Sequence, residues 1–103
     1  MQKETLSGIK SILKDVYKER LKGIILYGSE VRGDAAPDSD LDLLVLLKGP
    51  VSLGSDLEII IQAIYPLQLE LERPIHVQPV DIADFEAGEF ALYRNARKEG
   101  VFA

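Results

Sequence analysis

The chain has 103 residues, the length of one small domain, so we expect a single domain over residues 1–103. Its 12 Lys and Arg against 17 Asp and Glu give a formal net charge of −5, which argues against non-specific binding to long nucleic acid. No cysteine and one histidine exclude a disulfide scaffold and a thiolate zinc site, and argue against a Ser-His-Asp triad. Apolar runs far below the ~20 residues that span a bilayer, and no secretory signal pattern, predict a cytoplasmic protein.

A helix and then a short strand are predicted at the start of the chain. Five apolar residues recur at i, i+3, i+4, i+7 and i+8, which is one stripe at helical period. They are Ile9, Ile12, Leu13, Val16 and Tyr17. The stripe predicts a helix from about Leu6 to Leu21, which Gly23 ends. The apolar run Gly23–Tyr27 then predicts a buried strand that ends on Gly28-Ser29.

A polar segment separates this strand from a second one. Glu30–Ser39 contains glycine and proline, which predicts a short helical turn followed by a loop. Asp40–Leu47 begins with alternating acid and leucine and then becomes continuously apolar. That pattern is typical of a central strand, because both of its faces are covered.

The next helix has a clear start and an ambiguous end. Apolar residues at helical spacing predict a helix from Ser55, its N-cap, to about Tyr65. The leucines of Pro66–Glu72 alternate as in a strand, yet two of them also continue the helical stripe. Period alone leaves both interpretations open.

The last part of the chain completes a mixed pattern of helices and strands. Pro74–Val80 predicts a third strand, and its second proline favours an edge position or a break near the strand's end. Asp81–Gly88 is a loop or the start of a helix. Glu89–Glu99 predicts a helix that Gly100 caps, and Val101-Phe102 a last extended piece. This order predicts an α/β (α+β) domain, a small mixed sheet flanked by helices.

The Gly28-Ser29 pair has the features of a phosphate-binding turn. A glycine lets a phosphate approach the backbone, and the free N–H groups at a helix start attract anions. The Ser29 hydroxyl can add a further donor. A Gly-Ser pair after a strand is by itself more often only a turn.

Two carboxylates and an arginine lie close behind this turn. Asp40 and Asp42 are two residues apart at a strand start, which puts both side chains on the same face. Mg²⁺ prefers one or two carboxylates together with substrate phosphates, and this pair supplies them. Arg32 could contact a phosphate or fix the loop by pairing with an aspartate.

Together these residues resemble a known signature. Gly28-Ser29, Arg32-Gly33, Ser39-Asp40 and Asp42-Leu43 resemble the motif of the DNA polymerase β-like nucleotidyltransferase superfamily. The match is closest to its minimal, MNT-type domains, and it extends over almost the whole chain. The resemblance implies the polymerase β-like palm fold.

The resemblance also implies an activity. It is the transfer of a nucleoside monophosphate, AMP from ATP, to a protein or small-molecule acceptor, with Mg²⁺ or Mn²⁺ and release of pyrophosphate. Asp40 and Asp42 would be the catalytic metal ligands. The residues to which the resemblance gives nucleotide or phosphate binding are Gly28, Ser29, Arg32 and Ser39.

The third strand departs from this pattern. Active members of the superfamily place a third acid on it, beside the first pair. The corresponding position here is His76, and the strand holds no Asp or Glu before Asp81. Either the third site is degenerate and His76 is a strand-surface histidine, or His76, or Asp81 by a register shift, is the third ligand. Histidine suits Mn²⁺ better than Mg²⁺, and Asp81 is also a good N-cap.

Two functions follow from the resemblance. The first is catalysis, with an NTP as substrate and the chain acting as the MNT antitoxin of a HEPN/MNT toxin–antitoxin pair. The alternative is a catalytically weak or inactive NTP-binding subunit that acts by binding a helical HEPN-type partner. A second copy of the chain is the other partner expected, and nucleic acid is expected only as an acceptor end.

Overall fold

The computed structural model describes residues 3–28, 40–71 and 73–103, so the predicted turn and loop over Glu30–Ser39 lie outside the described residues. The described residues form four helices and four strands, and a 3₁₀ turn, Lys18–Arg20, lies between the first helix and the first strand. The helices are α1 (Lys3–Tyr17), α2 (Leu53–Glu70), α3 (Ile82–Ala87) and α4 (Ala91–Glu99). The strands are β1 (Leu21–Tyr27), β2 (Leu41–Leu47), β3 (Ile75–Asp81) and β4 (Val101–Phe102).

The strands form one mixed sheet in the order β3-β2-β1-β4. β1 pairs antiparallel with β2 and with β4, whereas β2 and β3 are parallel. The parallel pair is joined through α2, as a crossover between parallel strands requires. The predicted mixed sheet flanked by helices is therefore confirmed.

The core lies on both faces of this sheet. Leu43 and Val45 of β2 face α1 and α2, whereas Leu44 and Leu46 face α3 and α4. All four side chains are buried. This two-sided burial explains the continuous apolar run in β2 and confirms the prediction of a central strand. Among the described residues, none of the helices combines the length and apolarity that a membrane crossing needs.

The boundary between α1 and β1 differs from the prediction. The helix ends at Tyr17, and Leu21, predicted as its last residue, already pairs with Leu47 in the sheet. The 3₁₀ turn begins at Lys18, which has a φ of 54°, and it carries the chain from one layer to the next. The partly buried Leu21 packs against the core, and this tertiary contact outweighs the helical pattern.

Helix α2 is longer than predicted at both ends. It continues through Pro66 to Glu70, so the ambiguous segment is helical as far as that residue, and Glu72 lies outside the described residues. Continuation packs Leu67 against the core, which offsets the hydrogen bond that Pro66 cannot donate. The prediction of Ser55 as N-cap is wrong, because the cap position is Ser52.

A buried aspartate organises the start of α2. The carboxylate of Asp56 accepts hydrogen bonds from the Ser52 N–H (2.9 Å) and from the Tyr17 hydroxyl (2.8 Å). The Arg20 guanidinium lies 3.6 Å from the same carboxylate. Arg20 also donates to the carbonyls of Lys48 and Pro50. These contacts tie α1, the 3₁₀ turn and the loop before α2 into one unit.

The C-terminal elements agree more closely with the sequence. β3 is an edge strand of the sheet, as predicted. Asp81 caps α3 by accepting from the Ala83 N–H at 2.9 Å, and Gly88 ends α3 with a φ of 65°. α4 begins at Ala91, two residues later than predicted, and Val101–Phe102 forms the predicted extended piece.

Candidate active site

A glycine is required where β1 ends. Gly28 has a φ of 85°, a conformation that side-chain-bearing residues rarely adopt. A Cβ at this position would lie 2.7 Å from Oδ2 of Asp42. The structure thus brings together two of the residues that the sequence assigned to one site, with the Asp42 carboxylate next to the space that a side chain at position 28 would occupy.

His76 lies on the other side of Asp42. The two residues are register partners on the parallel strands β2 and β3, so their side chains share one face of the sheet. Nδ1 of His76 is 3.6 Å from Oδ1 of Asp42, and their side chains are 77% and 28% exposed. The histidine therefore lies beside Asp42, at the position where the resemblance predicts a third acid.

Asp40 immediately precedes β2 and is exposed. Leu41, between the two acids, is buried, and its N–H donates to the Pro74 carbonyl at 2.9 Å. This bond fixes the backbone between the acids at the start of β2. By the alternation of an extended chain, Asp40 is placed on the same side as Asp42. At the neighbouring edge, the Ile75 N–H donates to Oε1 of Gln68 at 2.6 Å, which anchors the start of β3 to α2.

Two residues near the site, Tyr27 and Glu99, were not among the predicted site residues. Tyr27 is the register partner of Asp42 across the antiparallel pair. Burial, and secondarily the negative charge of Asp42, raise the pKa of Tyr27 above its ordinary value of 10.0, so the phenol stays protonated at neutral pH. Glu99 of α4 lines a cavity of about 210 Å³ together with Tyr27 and Gly28. Only cross-strand and helix–sheet contacts bring Tyr27 and Glu99 to the site, so local sequence patterns do not predict their positions. For Tyr27 the sequence does contain one indication, because this residue directly precedes the Gly-Ser turn.

A second cleft borders the site on the β3 side. It has a volume of about 350 Å³. The residues that line it are Tyr27, Leu53, Leu57, His76, Val77 and Gln78. Tyr27 contributes to both cavities, so open space lies on two sides of Tyr27.

Asp81 is not part of this site, and its proposed role as a third ligand is wrong. It pairs with Leu47 at the end of β2 opposite to Asp42, five residues further along the strand than His76. At about 3.3 Å per residue this is a separation of about 16 Å. The Asp81 carboxylate instead caps α3 and lies against Gly49.

Three of the predicted phosphate-binding residues, Ser29, Arg32 and Ser39, lie outside the described residues, so their roles stay predictions. Within residues 3–28, 40–71 and 73–103, no group of three or more His, Cys, Asp or Glu could hold a metal ion by itself. Two carboxylates nevertheless fit a Mg²⁺ or Mn²⁺ ion whose shell is completed by substrate phosphates and water, since Mg²⁺ is usually bound through one or two carboxylates.

Sequence comparison connects this site to known proteins. The profile of the nucleotidyltransferase domain family matches residues 6–102. The chain is 37% identical over 96 residues to spectinomycin 9-adenylyltransferase of Enterococcus faecalis, covering 93% of this chain and 37% of that protein. It is 33% identical over 69 residues to a Methanocaldococcus jannaschii protein provisionally named as a protein adenylyltransferase, covering 66% of this chain and 70% of that protein. The chain thus spans little more than a third of the first relative's length.

Solved structures share the fold. A toxin–antitoxin complex with AMP-PNP matches with a TM-score of 0.66 at 20% identity, covering 94% of this chain and 70% of that chain. A variant of the MntA–HpeT toxin–antitoxin complex matches with a TM-score of 0.65 at 21% identity, covering 100% of this chain and 72% of that chain. These matches confirm the predicted fold.

Proposed function

The chain belongs to the nucleotidyltransferase domain family, a family of transferases, and on that basis we propose that it moves AMP from ATP to a hydroxyl of a protein or small-molecule acceptor. The acceptor hydroxyl releases its proton to water and its oxygen forms a bond to the α-phosphorus. The bond from that phosphorus to the bridging oxygen of the β-phosphate breaks, and pyrophosphate leaves. The choice of ATP is supported by the adenylyltransferase names of both relatives.

The contact of Gly28 with Asp42 is the observation that carries this proposal. Gly28 leaves its backbone open to a phosphate, and the Asp42 carboxylate lies directly beside it. Asp40 and Asp42 would hold Mg²⁺ or Mn²⁺, and the bound ion would neutralise charge on the triphosphate and the leaving pyrophosphate. Ser29, Arg32 and Ser39 would add donors to the phosphate oxygens. Tyr27, a neutral phenol beside Asp42, borders both cavities and would exclude water from this edge of the site.

A partner protein is the second part of the proposal. The solved structures with this fold include toxin–antitoxin complexes, and we propose that this chain is the antitoxin of such a pair, with a helical HEPN-type toxin as its partner and acceptor. The alternative is binding without efficient catalysis, and the specific observation that favours it is His76 in place of a third carboxylate beside Asp42. A cytoplasmic location and a single domain over residues 1–103 are part of the same proposal.

The experiment combines a transfer assay with a neutralisation assay. The protein is incubated with ATP labelled at the α-phosphate, with Mg²⁺ or Mn²⁺, and with a helical HEPN-type protein as the candidate acceptor. Transfer of label to that protein by the unmodified chain, and none by an Asp40→Ala, Asp42→Ala double variant, supports catalysis. If the double variant is inactive in transfer and still neutralises the partner, binding alone is sufficient. Equal transfer by both proteins contradicts the proposed site.

A further inference from the structure

Helix α2 carries an apolar row that the described residues leave uncovered. Residues four apart along a helix are neighbours and form a ridge. The row comprises Leu53, Leu57, Ile61, Tyr65 and Leu69, and is called the α2 ridge below. Leu53, Ile61, Tyr65 and Leu69 are 62%, 48%, 55% and 67% exposed, whereas Leu57 is half-buried against the core. At 1.5 Å per residue, the ridge is about 24 Å long.

Single exposed apolar residues are normal on a protein surface, but a contiguous row marks a contact surface. The side of α2 next to this row is already used, because Ile60 and Ile64 pack into the core. The α2 ridge extends the apolar surface of α2 beyond the side that is packed against the core. The composition of α2 therefore matches a helix with a further contact, which the folded chain does not provide within its described residues.

The charge around the ridge indicates what kind of partner it takes. The next row of α2 contains Glu58, Gln62 and Glu70, and Glu58 accepts a hydrogen bond from the Gln62 amide at 3.3 Å. Leu53–Glu70 contains no lysine or arginine. The ridge is thus bordered by negative charge on its solvent side. Two copies related by a twofold axis would bring this acidic row against itself, which is unfavourable.

We propose that the α2 ridge binds a helix of another protein, one with an apolar stripe flanked by lysine or arginine. The ridge supplies the apolar centre of the contact, and the acidic row of Glu58 and Glu70 pairs with the partner's basic flank. Ridge packing of this kind places two helices at about −50° to each other. The cleft that begins at Leu53 and Leu57 continues to His76, so the bound helix lies beside the candidate site. The inference does not depend on a metal, on a nucleotide or on catalysis.

The probe is a synthetic helical peptide of about 18 residues, long enough to cover the ridge at 1.5 Å per residue. One version carries leucine at helical spacing with lysine at all other positions, and the second carries glutamate in place of each lysine. Binding is measured by fluorescence anisotropy with the full chain, without nucleotide or metal. We expect the lysine peptide to bind at least tenfold more tightly than the glutamate peptide.

Variants of the chain locate the contact. The Tyr65→Ser, Leu69→Ser pair and the Glu58→Lys, Glu70→Lys pair should each weaken binding of the lysine peptide at least tenfold. Val16→Ser removes an apolar side chain that is 44% exposed on α1, and Glu4→Lys with Glu19→Lys makes the same charge change on exposed residues outside α2. Neither control should change the affinity by more than twofold.

Circular dichroism must show an unchanged fold for each variant. If the Tyr65→Ser, Leu69→Ser double variant does not fold, the single variant Leu69→Ser replaces it. Three results would overturn the proposal. The first is equal affinity for the two peptides, and the second is unchanged affinity in the ridge variants. The third is a dimer of the unmodified chain, seen by sedimentation, that the Leu69→Ser change dissociates, because the occupant would then be a second copy.

Discussion

Asp42 and His76 lie side by side on the parallel strands β2 and β3, with Oδ1 of the aspartate 3.6 Å from Nδ1 of the histidine. An imidazole thus lies at the position where the resemblance predicted a third carboxylate. Nitrogen is a poorer ligand than carboxylate oxygen for Mg²⁺ and a better one for Mn²⁺. The Asp42–His76 pair therefore influences which metal ion the site binds.

His76→Asp should shift the ion preference of the chain toward Mg²⁺. We expect Mg²⁺ affinity, measured by calorimetry in the presence of a non-hydrolysable ATP analogue, to rise at least fivefold relative to Mn²⁺ affinity. The physical reason is that a hard oxygen ligand replaces an imidazole beside Asp42. Gln78→Asp is the matched control, because Gln78 is two residues further on the same face of β3. An equal gain in the control would show a general charge effect and would count against a role of position 76.

Gly28→Ala should impair both stability and activity. Its φ of 85° strains any residue with a Cβ, and the new Cβ, 2.7 Å from Oδ2 of Asp42, would displace the Asp42 carboxylate. We expect a loss of about 1–2 kcal/mol in the free energy of unfolding and at least a tenfold loss of transfer. Gly8→Ala in α1 is the control, since a Cβ there meets nothing within 4 Å, and it should stabilise by about 0.5–1 kcal/mol. Urea denaturation measures the stability of both variants, and the transfer assay measures activity. Equal effects of Gly28→Ala and Gly8→Ala on stability would contradict the geometry at Gly28.

Asp56→Asn should make the stability of the chain less dependent on pH. Burial by itself would raise the pKa of Asp56, but hydrogen bonds from the Ser52 N–H and the Tyr17 hydroxyl, with the charge of Arg20, outweigh it and hold the pKa below its ordinary value of 3.8. The folded-state pKa is depressed, so this stabilisation is present above about pH 4 and is lost as the pH falls through the folded-state pKa. The unmodified chain should exceed the variant by about 2 kcal/mol at pH 7, and the difference should shrink below pH 4.

Denaturant midpoints of both proteins at several pH values between 2.5 and 7 test this prediction. Asp15→Asn, which removes an exposed carboxylate from α1, should leave the pH dependence of the unmodified chain intact. A gap between the unmodified chain and Asp56→Asn that stays constant down to pH 2.5 would mean that the Asp56 carboxylate has no depressed pKa.

Tyr17→Phe tests the same buried unit from its other side. The Tyr17 hydroxyl donates to Oδ1 of Asp56 at 2.8 Å, and the contact is buried. Burial, followed by the hydrogen bond and the charge of Asp56, raises the pKa of Tyr17, so the donor is present at neutral pH. Its removal should cost about 1–2 kcal/mol of unfolding free energy by thermal or urea denaturation. Tyr65→Phe, at an exposed position on α2, should change it by less than half a kcal/mol; a comparable cost there would exclude the buried bond as the cause.

The strands were easier to predict than the boundaries of the first helices. β2 was predicted from its own residues, because burial on both faces requires a continuous apolar run. The α1–β1 boundary was not, since Leu21 fits a helical pattern and joins the strand only through its pairing with Leu47. The helical state of the segment after Tyr65 depends likewise on packing of Leu67 against the core, which no local period contains.

The candidate site was likewise predicted only in part from the sequence. Asp40 and Asp42 were predicted from their spacing, and the position of His76 near them from the resemblance to the superfamily. The alternative ligand Asp81 failed because the parallel register sets it at the far end of the strand. Glu99 was not among the predicted site residues, because only packing of α4 against the sheet brings it to the cavity beside Gly28.

The most direct test of the proposed site is transfer of α-phosphate-labelled AMP by three purified proteins: the unmodified chain, Asp42→Asn and Asp15→Asn. Both variants replace one carboxylate by an amide, but only the first changes the residue beside Gly28. We expect at least a hundredfold loss of transfer to the partner protein for Asp42→Asn, with an unchanged circular dichroism spectrum, and full transfer for Asp15→Asn. Undiminished transfer by a folded Asp42→Asn protein would contradict the assignment of this site.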